Sequence, residues 1–230
     1  MSRMEQQRSQ LGTADGAPHK RQRLAAKDRR RQLILAAIQV FAQKGFRGTT
    51  TKEIAAAAGV AEAMIYRHFA TKEDLYSAIL DYQAEQIDTE AWLGELKEYA
   101  QKRDDEGLFI TVAKRVFLQY QGGREFLSLM LRSALEGHEL APKFLRRQIL
   151  PLHSYLVRYV IERQREGAFR QCDAEAAVRA FEGMLNHCGM VNELFDSEIL
   201  GVSPEAVVST FTDIFLHGIE LPEGEKAQSI

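Results

Sequence analysis

The residues with the clearest chemistry lie in the segment TTTKEIAAAAGVAEAMIYRHFATKEDL, which runs from Thr49 to Leu75. Thr50 and Glu53 have the spacing of a capping box, in which a hydroxyl caps a helix and the later carboxylate reaches back. Thr71 and Asp74 repeat that spacing at a second helix start. Helix N-termini present unpaired N–H groups and a partial positive charge, so they can bind phosphate. The segment therefore predicts a surface that holds a polyanion.

Two short helices joined by a glycine turn are predicted to position these side chains. The first continues over residues 54–58 with small residues, and Gly59 supplies the backbone freedom of a sharp turn. The second is predicted over residues 61–69, where Ile65 and Phe69 lie on its apolar side. Two short helices with a glycine turn are the helix-turn-helix of DNA-binding proteins.

Residues 31–80 resemble, without a gap, the DNA-binding domain of the TetR family of bacterial transcriptional regulators. The resemblance implies an all-α fold with a three-helix DNA-binding domain and a larger helical domain. The residues that carry it are Ala36, Phe41, Gly45, Phe46, Thr50, Thr51, Ile54, Ala55, Ala58, Gly59, Val60, Ile65, Tyr66, Phe69, Lys72 and Leu75. The number of matching positions in register makes this pattern far more specific than a lone capped helix pair.

The resemblance also implies which side chains contact DNA. They are Thr50, Thr51, Lys52, Glu62, Ala63, Met64, Tyr66, Arg67, His68 and Lys72. Thr51, Tyr66 and Lys72 are expected to hold the backbone. Glu62, in the helix that faces the major groove, could accept from cytosine N4. Alternatives stay open: Thr50 could serve only as a cap, Tyr66 as a core aromatic and Arg67 as a solvated charge.

Lys72 at a helix start places a positive charge where the helix dipole disfavours it. We therefore predict that an anionic ligand, the DNA backbone, explains its position.

Charge and composition divide the chain into three parts. Residues 1–80 hold 14 Lys and Arg against 7 Asp and Glu, whereas residues 81–230 hold 16 against 25. A basic head on an acidic body favours one docking orientation on a polyanion. We predict a disordered basic extension over residues 1–27, a DNA-binding domain over 28–75 and an effector-binding and dimerisation domain over 76–230. The basic cluster between His19 and Arg31 could enter a minor groove or stay solvated.

Apolar periodicity predicts helices throughout the rest of the chain, about nine in the larger domain. After a long fourth helix, the pattern recurs near residues 106–121, 123–136, 141–166, 173–195 and 204–218. Loop signals separate these segments at Asp104, Gly122, Gly137, Gly167 and Gly201. Strand alternation is not evident in the sequence, so we predict an all-α fold.

A small-molecule pocket is expected among the middle helices. Its candidate lining residues are Trp92, Tyr99, Phe109, Phe117, Tyr120, Phe126, Met130, Tyr155, Tyr159, Met184 and His187. His138, His153 and Asn192 could add polar contacts. Each of these residues could equally be an ordinary core residue. Since ligand pockets are mostly apolar, a hydrophobic or aromatic molecule is the expected effector.

The last two helices carry apolar seams. These are Ala177, Phe181, Met184, Cys188, Val191 and Phe195 on one, and Val207, Phe211, Ile214 and Phe215 on the other, which opens with Ser203 and Pro204. The resemblance implies that both helices pair with their copies in a homodimer. Packing within one protomer is the alternative, because periodicity does not identify the neighbour that covers a seam.

The sequence thus predicts a homodimeric repressor that a small hydrophobic effector releases from a palindromic operator. An activator and an effector-independent DNA-binding dimer are alternatives. An enzyme is least expected, because the sequence has no HExxH helix, nucleophile elbow or phosphate-cradling glycine loop. Two cysteines match no disulfide framework or zinc pattern, so no metal and no cofactor is expected. Without an apolar run of membrane-spanning length, the protein is predicted to be cytoplasmic.

Overall fold

A computed structural model of the chain describes residues 17–87, 89–120, 123–195 and 202–220, with side chains except those of residues 17–25, 87, 89 and 90. These parts contain eleven α-helices and a π-helical turn, and no strand longer than one isolated bridge between Phe169 and Glu220. The helices are α1 (Ala17–Lys44), α2 (Thr51–Ala57), α3 (Ala63–His68), α4 (Lys72–Ile87), α5 (Thr89–Lys102), α6 (Asp105–Leu118), α7 (Arg124–Leu135), α8 (Leu140–Phe144), α9 (Leu150–Arg165), α10 (Ala174–Leu194) and α11 (Pro204–Ile219). The predicted all-α fold is confirmed. No helix in these ranges is long and apolar enough to cross a membrane.

The first helix begins earlier than its apolar periodicity suggests. It starts at Ala17 instead of near Asp28, so residues 17–27, predicted to be disordered, are helical. Their composition explains the difference, because arginine, lysine, glutamine, leucine and alanine all favour helix without an apolar stripe. Pro18 in the first turn is compatible with a helix start, where no partner for its missing N–H is needed. Residues 1–16 of the predicted extension lie outside the described residues.

Local capping sets the starts of several helices. The Thr50 hydroxyl accepts from the Glu53 amide at 3.2 Å, and the Glu53 carboxylate accepts from the Thr50 amide at 2.9 Å. Thr71 and Asp74 make the same reciprocal pair at 3.0 Å in both directions. Ser203 caps α11 through the Ala206 amide at 3.2 Å. The predicted caps are confirmed, since they depend only on neighbours in sequence.

The predicted helix over residues 141–166 is interrupted. Leu145–Ile149 form a π-helical turn between α8 and α9, in which the Leu150 amide donates to the Leu145 carbonyl. Pro151 follows at the start of α9 and has no N–H to continue the regular ladder. A π-bulge is the usual way to accommodate such a break.

Two apolar cores hold the helices together. The head core packs α1 to α4 around Leu33, Phe41, Ile54, Ile65 and Leu75, and it also takes in one residue each from α7 and α8. The body core packs α5, α6, α9, α10 and α11. Because α7 belongs to the head core and also contacts α10, the head is attached to the body by packing as well as by the chain.

Candidate DNA interface and ligand cavity

The first helix of the pair is joined to the second through side chains at its start. The Thr51 hydroxyl donates to the Glu62 carboxylate at 2.5 Å and lies 3.2 Å from the Tyr66 hydroxyl. These contacts bring the start of α2 beside α3, with Gly59 in the turn between them at a φ of +65°. The turn is further tied to α1, because the Gln32 amide donates to the Ala58 carbonyl at 2.8 Å.

The second helix of the pair is shorter than predicted. It spans Ala63–His68 instead of residues 61–69, and Glu62 precedes it without a side-chain cap. Weaker three-residue bonds start it, from the Met64 amide to Ala61 and from the Ile65 amide to Glu62. Without a capping residue at position 61 or 62, the regular helix begins later.

Exposure separates the predicted DNA-contacting residues into two groups. Thr50, Lys52, Ala63, Tyr66 and Arg67 are exposed, and Tyr66 has 55% of its surface accessible despite its aromatic ring. Tyr66 is therefore not the core aromatic that was its alternative. Thr51, Glu62, Met64, His68 and Lys72 are half-buried. Ile65 and Phe69 are buried, as their apolar positions predict.

Lys72 has a structural explanation that the sequence did not suggest. Its ammonium donates to the carbonyls of Phe46 at 2.9 Å and Thr49 at 3.0 Å, and it lies 4.3 Å from the centroid of the Phe46 ring. Lys72 therefore has partners within the protein at this helix start, and its contact with the DNA backbone stays a prediction. These internal partners fix the loop before α2.

Arginines of α1 reach the end of α3. The Arg30 guanidinium lies 4.6 Å from the centroid of the Phe69 ring, and the Arg29 side chain donates to Gln32 at 2.7 Å. Burial first, then the charges of Arg67, Arg30 and Arg29, lower the pKa of His68. The head therefore presents a concentrated positive field around His68.

A cavity of about 1070 Å³ lies among α4, α6, α7, α8 and α10. Most of its wall is apolar, and its polar groups include Gln83 and Gln86 of α4, Arg115 and Gln119. On another side, Tyr120 donates to the Asn186 amide oxygen at 3.0 Å. Among the described residues that line it there is no Asp or Glu.

Only part of the predicted pocket set lines this cavity. Tyr120, Phe126, Met130 and the polar candidate His138 are in its wall. The other predicted residues are placed elsewhere: Trp92, Phe109, Phe117 and Tyr159 are buried in the body core, Tyr99, Tyr155 and Met184 pack against that core, and His187 is exposed. His153 is buried with its Nδ1 atom 2.9 Å from Glu182, and Asn192 contacts Cys188. Aromatic content alone does not separate core from cavity.

The sequence also missed cavity residues on several helices, among them Gln83 on α4, Leu127 on α7 and Asn186 on α10. No signal in the sequence distinguishes them, because a cavity wall depends on how helices cross in space. Among the described residues, no group of three or more His, Cys, Asp or Glu side chains is arranged to hold a metal ion.

The predicted dimer seams are divided between the protomer core and its surface. Phe181, Val207 and Phe215 are buried within the protomer, which corrects their assignment to an interface. Ala177, Met184, Cys188 and Phe211 are partly buried against the same core, and Val191 is half-buried. Phe195 and Ile214 are exposed, by 62% and 54%. Most of each seam is therefore covered by the protomer itself.

The geometry is that of a helix-turn-helix domain carried on a helical body with an apolar cavity. The family model described as bacterial regulatory proteins of the tetR family matches residues 33–79, within the head. Over these residues the chain is similar to the TetR family, and the predicted resemblance is confirmed.

Relatives agree with this placement. Over 72 residues the chain is 36% identical to the transcriptional activator FasR of Mycolicibacterium smegmatis, a match that covers 31% of this chain and 33% of FasR. The chain thus matches about a third of the length of that relative. The relatives are transcriptional regulators and not enzymes, as the sequence predicts.

Solved structures extend the likeness to the whole fold. A putative transcriptional regulator from Saccharomonospora viridis in complex with choline has a TM-score of 0.63 at 17% identity, covering 85% of this chain and 100% of that one. The ketosteroid transcriptional regulator KstR2 of Mycobacterium tuberculosis has a TM-score of 0.61 at 21% identity, covering 84% and 96%. At these identities the likeness concerns the fold.

Proposed function

We propose that this protein is a homodimeric transcriptional regulator that binds a palindromic operator and is released from it by a small, mainly apolar ligand. One observation carries the proposal: a helix-turn-helix with exposed Lys52, Tyr66 and Arg67 is joined by α4 directly to an apolar cavity. Helix α4 begins beside the head at Lys72 and contributes Gln83 and Gln86 to the cavity wall.

On DNA, the exposed residues of α3 would face the major groove while the start of α2 meets the backbone. Backbone contacts fix the register, and contacts to base edges carry the sequence information. Glu62 accepts from Thr51 through one carboxylate oxygen, and a carboxylate has further acceptor sites for a bond from cytosine. If replacing Glu62 by alanine leaves base preference unchanged while binding persists, its specificity role is overturned.

The operator is tested by selecting bound sites from random duplex DNA at physiological salt. A homodimer places two recognition helices in successive major grooves about 34 Å apart. We expect a near-palindrome with half-sites about one helical turn apart. Binding that is salt-sensitive but indifferent to sequence would contradict the proposal.

The cavity supports an apolar ligand. Its walls are mostly apolar, with leucine, phenylalanine, methionine, alanine, proline and isoleucine side chains, and its polar groups stand at separate points. A ligand site of this kind binds through apolar area and is oriented by a few polar contacts. KstR2 is named as a ketosteroid regulator, and a molecule of that apolar kind suits this lining. A true ligand raises the melting temperature by mass action, so a thermal-shift screen identifies candidates.

The proposed dimer uses the exposed sides of α10 and α11. Ala176, Ala180 and Gly183 are exposed along α10, and Ile214 is exposed on α11. Small side chains let two helices approach closely, and Ile214 offers apolar area for a partner. The interface thus lies on the opposite side of these helices from Phe181 and Phe215.

The basic N-terminal positions are proposed to add backbone contacts. Because α1 is helical from Ala17, an extended arm that enters a minor groove has to come before Ala17, or the first turns of α1 have to unwind. Deleting residues 1–27 should reduce the slope of binding against salt if these positions meet phosphate. An unchanged slope would leave them without a role in binding.

Binding to the operator gives repression where the operator overlaps a promoter, and release by the ligand relieves it. The sign depends on operator position, and similar regulators include one named a repressor and one named an activator. A promoter–reporter assay with the selected operator determines the sign for this protein. Ligand-independent output would favour the alternative of an effector-independent DNA-binding dimer.

A further inference from the structure

His138 lies in the turn between α7 and α8, with the cavity on one side and the head on the other. It is part of the cavity wall. Its ring centroid is 4.5 Å from that of Phe46, which follows α1, and 4.6 Å from that of Tyr76 on α4. One imidazole therefore touches the ligand space and the aromatic cluster of the DNA-binding head.

The orientation of this ring is fixed locally. The His138 Nδ1 atom accepts from the Leu140 amide at 3.4 Å, and the Ser133 hydroxyl donates to the His138 carbonyl at 3.1 Å. Because Nδ1 accepts, the proton of the neutral imidazole lies on Nε2. The ring is thereby held in place between the cavity and the aromatic rings of Phe46 and Tyr76.

The contacts continue from the ring into the helix-turn-helix. Phe46 lies under the Lys72 ammonium, 4.3 Å from it, and the same ammonium donates to the carbonyls of Phe46 and Thr49. Thr49 directly precedes Thr50, the residue that caps α2. A displacement of the Phe46 ring would therefore pass to the start of α2 in three steps. These are the contact of Phe46 with Lys72, the hydrogen bond of Lys72 to Thr49, and the peptide bond from Thr49 to Thr50.

We propose that His138 is the positioning residue that transmits ligand binding from the cavity to the helix-turn-helix, through its ring packing on Phe46. The inference rests on the proposed function, in which the cavity binds a ligand. Close-packed interiors have few voids, so a ligand that displaces one ring must also displace the ring behind it. Such contiguous packing can carry coupling free energy between two sites.

Helix α4 is the competing route, because it carries Tyr76 in the head and Gln83 at the cavity. The two routes differ in what they require of position 138. Transmission along α4 alone needs only the turn to be intact, whereas transmission through His138 needs an aromatic ring there.

Two substitutions separate the ring from the turn. His138→Asn keeps a hydrogen-bond acceptor for the Leu140 amide and removes the ring. His138→Phe keeps a ring against Phe46 and removes the acceptor. A purely structural role in the turn predicts that Asn is tolerated better, and a transmitting ring predicts the reverse.

The probe is anilinonaphthalene sulfonate, whose fluorescence rises in apolar cavities. Leu127→Trp, which fills the cavity from α7, identifies the signal that comes from this site. Hydrogen exchange of the α2 amides is then measured by mass spectrometry on the full chain, with and without the dye. Met190→Ala, a cavity variant on α10, is the matched control that alters the wall away from the head.

We expect the dye to change exchange in α2 by about threefold or more in the wild type, since local opening reports on such coupling. We expect His138→Phe and Met190→Ala to keep that response at saturating dye. At saturating dye, His138→Asn should still bind the dye and show no response in α2.

Three other results overturn the inference. A response that survives in His138→Asn would assign transmission to α4 and leave the proposed function standing. If the wild type binds the dye without any change in the hydrogen exchange of α2, the cavity is not coupled to α2 and His138 transmits nothing. If Leu127→Trp loses no dye fluorescence, the dye does not bind in this cavity. The ligand control in the proposed function then fails together with the inference.

Discussion

Two lysines of the head differ in what surrounds their charge. Lys72 donates to two backbone carbonyls of the loop before α2, whereas Lys52 on the first turn of α2 is exposed. Both are predicted to meet DNA, yet only one also holds the fold. A hydrogen bond from a charged group stabilises more than a neutral one, and its loss leaves the acceptors unpaired.

Replacing Lys72 by methionine should therefore lower the free energy of unfolding by about 1 to 2 kcal/mol, measured by urea denaturation. Lys52→Met is the matched control and should change stability by less than about 0.5 kcal/mol. Lys52 is predicted to reach either the DNA backbone or a base, and if it meets a phosphate, Lys52→Met should reduce the salt slope of operator binding. Equal stability of the two variants would mean that the Lys72 contacts contribute little in solution.

The capping carboxylate of α2 makes part of the stability depend on pH. Hydrogen bonds from Lys44 and from Thr50 lower the pKa of Glu53 to about 2 from its ordinary 4.5. Because the folded pKa is depressed, the stabilisation is complete above 4.5 and is lost as pH falls from 4.5 toward 2. A pH titration followed by NMR should show this low pKa. Glu53→Gln should unfold with less dependence on pH in that window, and an unchanged dependence would contradict this origin.

At the residue scale, the contacts that the sequence could predict are those between residues close together along the chain. The Thr50–Glu53 and Thr71–Asp74 caps join residues three apart, so their spacing alone predicts them. Lys72 bonds to Phe46 and Thr49, more than twenty residues earlier, and nothing in the spacing indicates that contact. Its role therefore had to come from the fold.

At the scale of helices, the contact between α6 and α10 depends on one glycine. A Cβ atom on Gly189 would lie 2.4 Å from the Tyr120 ring, which forms part of the cavity wall. Tyr120 is held there by its bond to Asn186, and burial raises the pKa of its hydroxyl. Gly189 thus makes room for an aromatic ring at the edge of the ligand space.

Gly189→Ala should destabilise the protein by about 1 to 3 kcal/mol, because overpacking outweighs the gain in helix propensity. The displaced Tyr120 ring should also weaken dye binding in the cavity. Gly94→Ala on α5 is the control, since nothing lies within 4 Å of its Cβ position, and it should stabilise by about 0.5 to 1 kcal/mol. If both substitutions raise the free energy of unfolding, the Tyr120 ring moves aside without destabilising the protein, and the prediction for Gly189 is wrong.

The helical segments after residue 104 were predictable to within a few residues, but the start of α1 and the partners of each apolar face were not. Phe181 and Phe215 have the same periodicity as exposed Ile214, yet they pack on each other at 4.7 Å in the protomer core. Periodicity reports that a face is covered and does not report by what. The same limit explains why Phe109 proved to be core while Phe126 lines the cavity.

At the scale of the whole molecule, the head is basic and the body is acidic. The surface at which two protomers associate should therefore carry little net charge of either sign. Residues 81–230 carry nine more acidic than basic residues, so two bodies repel each other wherever charge is exposed. The exposed sides of α10 and α11 include the small residues Ala180 and Gly183 and the apolar Ile214. A dimer joined there would keep the two heads free to meet successive major grooves.

Ile214→Glu places a charge in that proposed contact and should convert the dimer into a monomer, measured by sedimentation velocity. Because a dimer releases counterions from two half-sites, a monomer should lose affinity and roughly half of the slope of binding against salt. Gln101→Glu on α5 adds the same charge elsewhere on the exposed surface, and it should remain dimeric with nearly wild-type binding. A dimer that persists in Ile214→Glu would place the interface on another face. Loss of DNA binding in a persistent dimer would instead implicate the added charge.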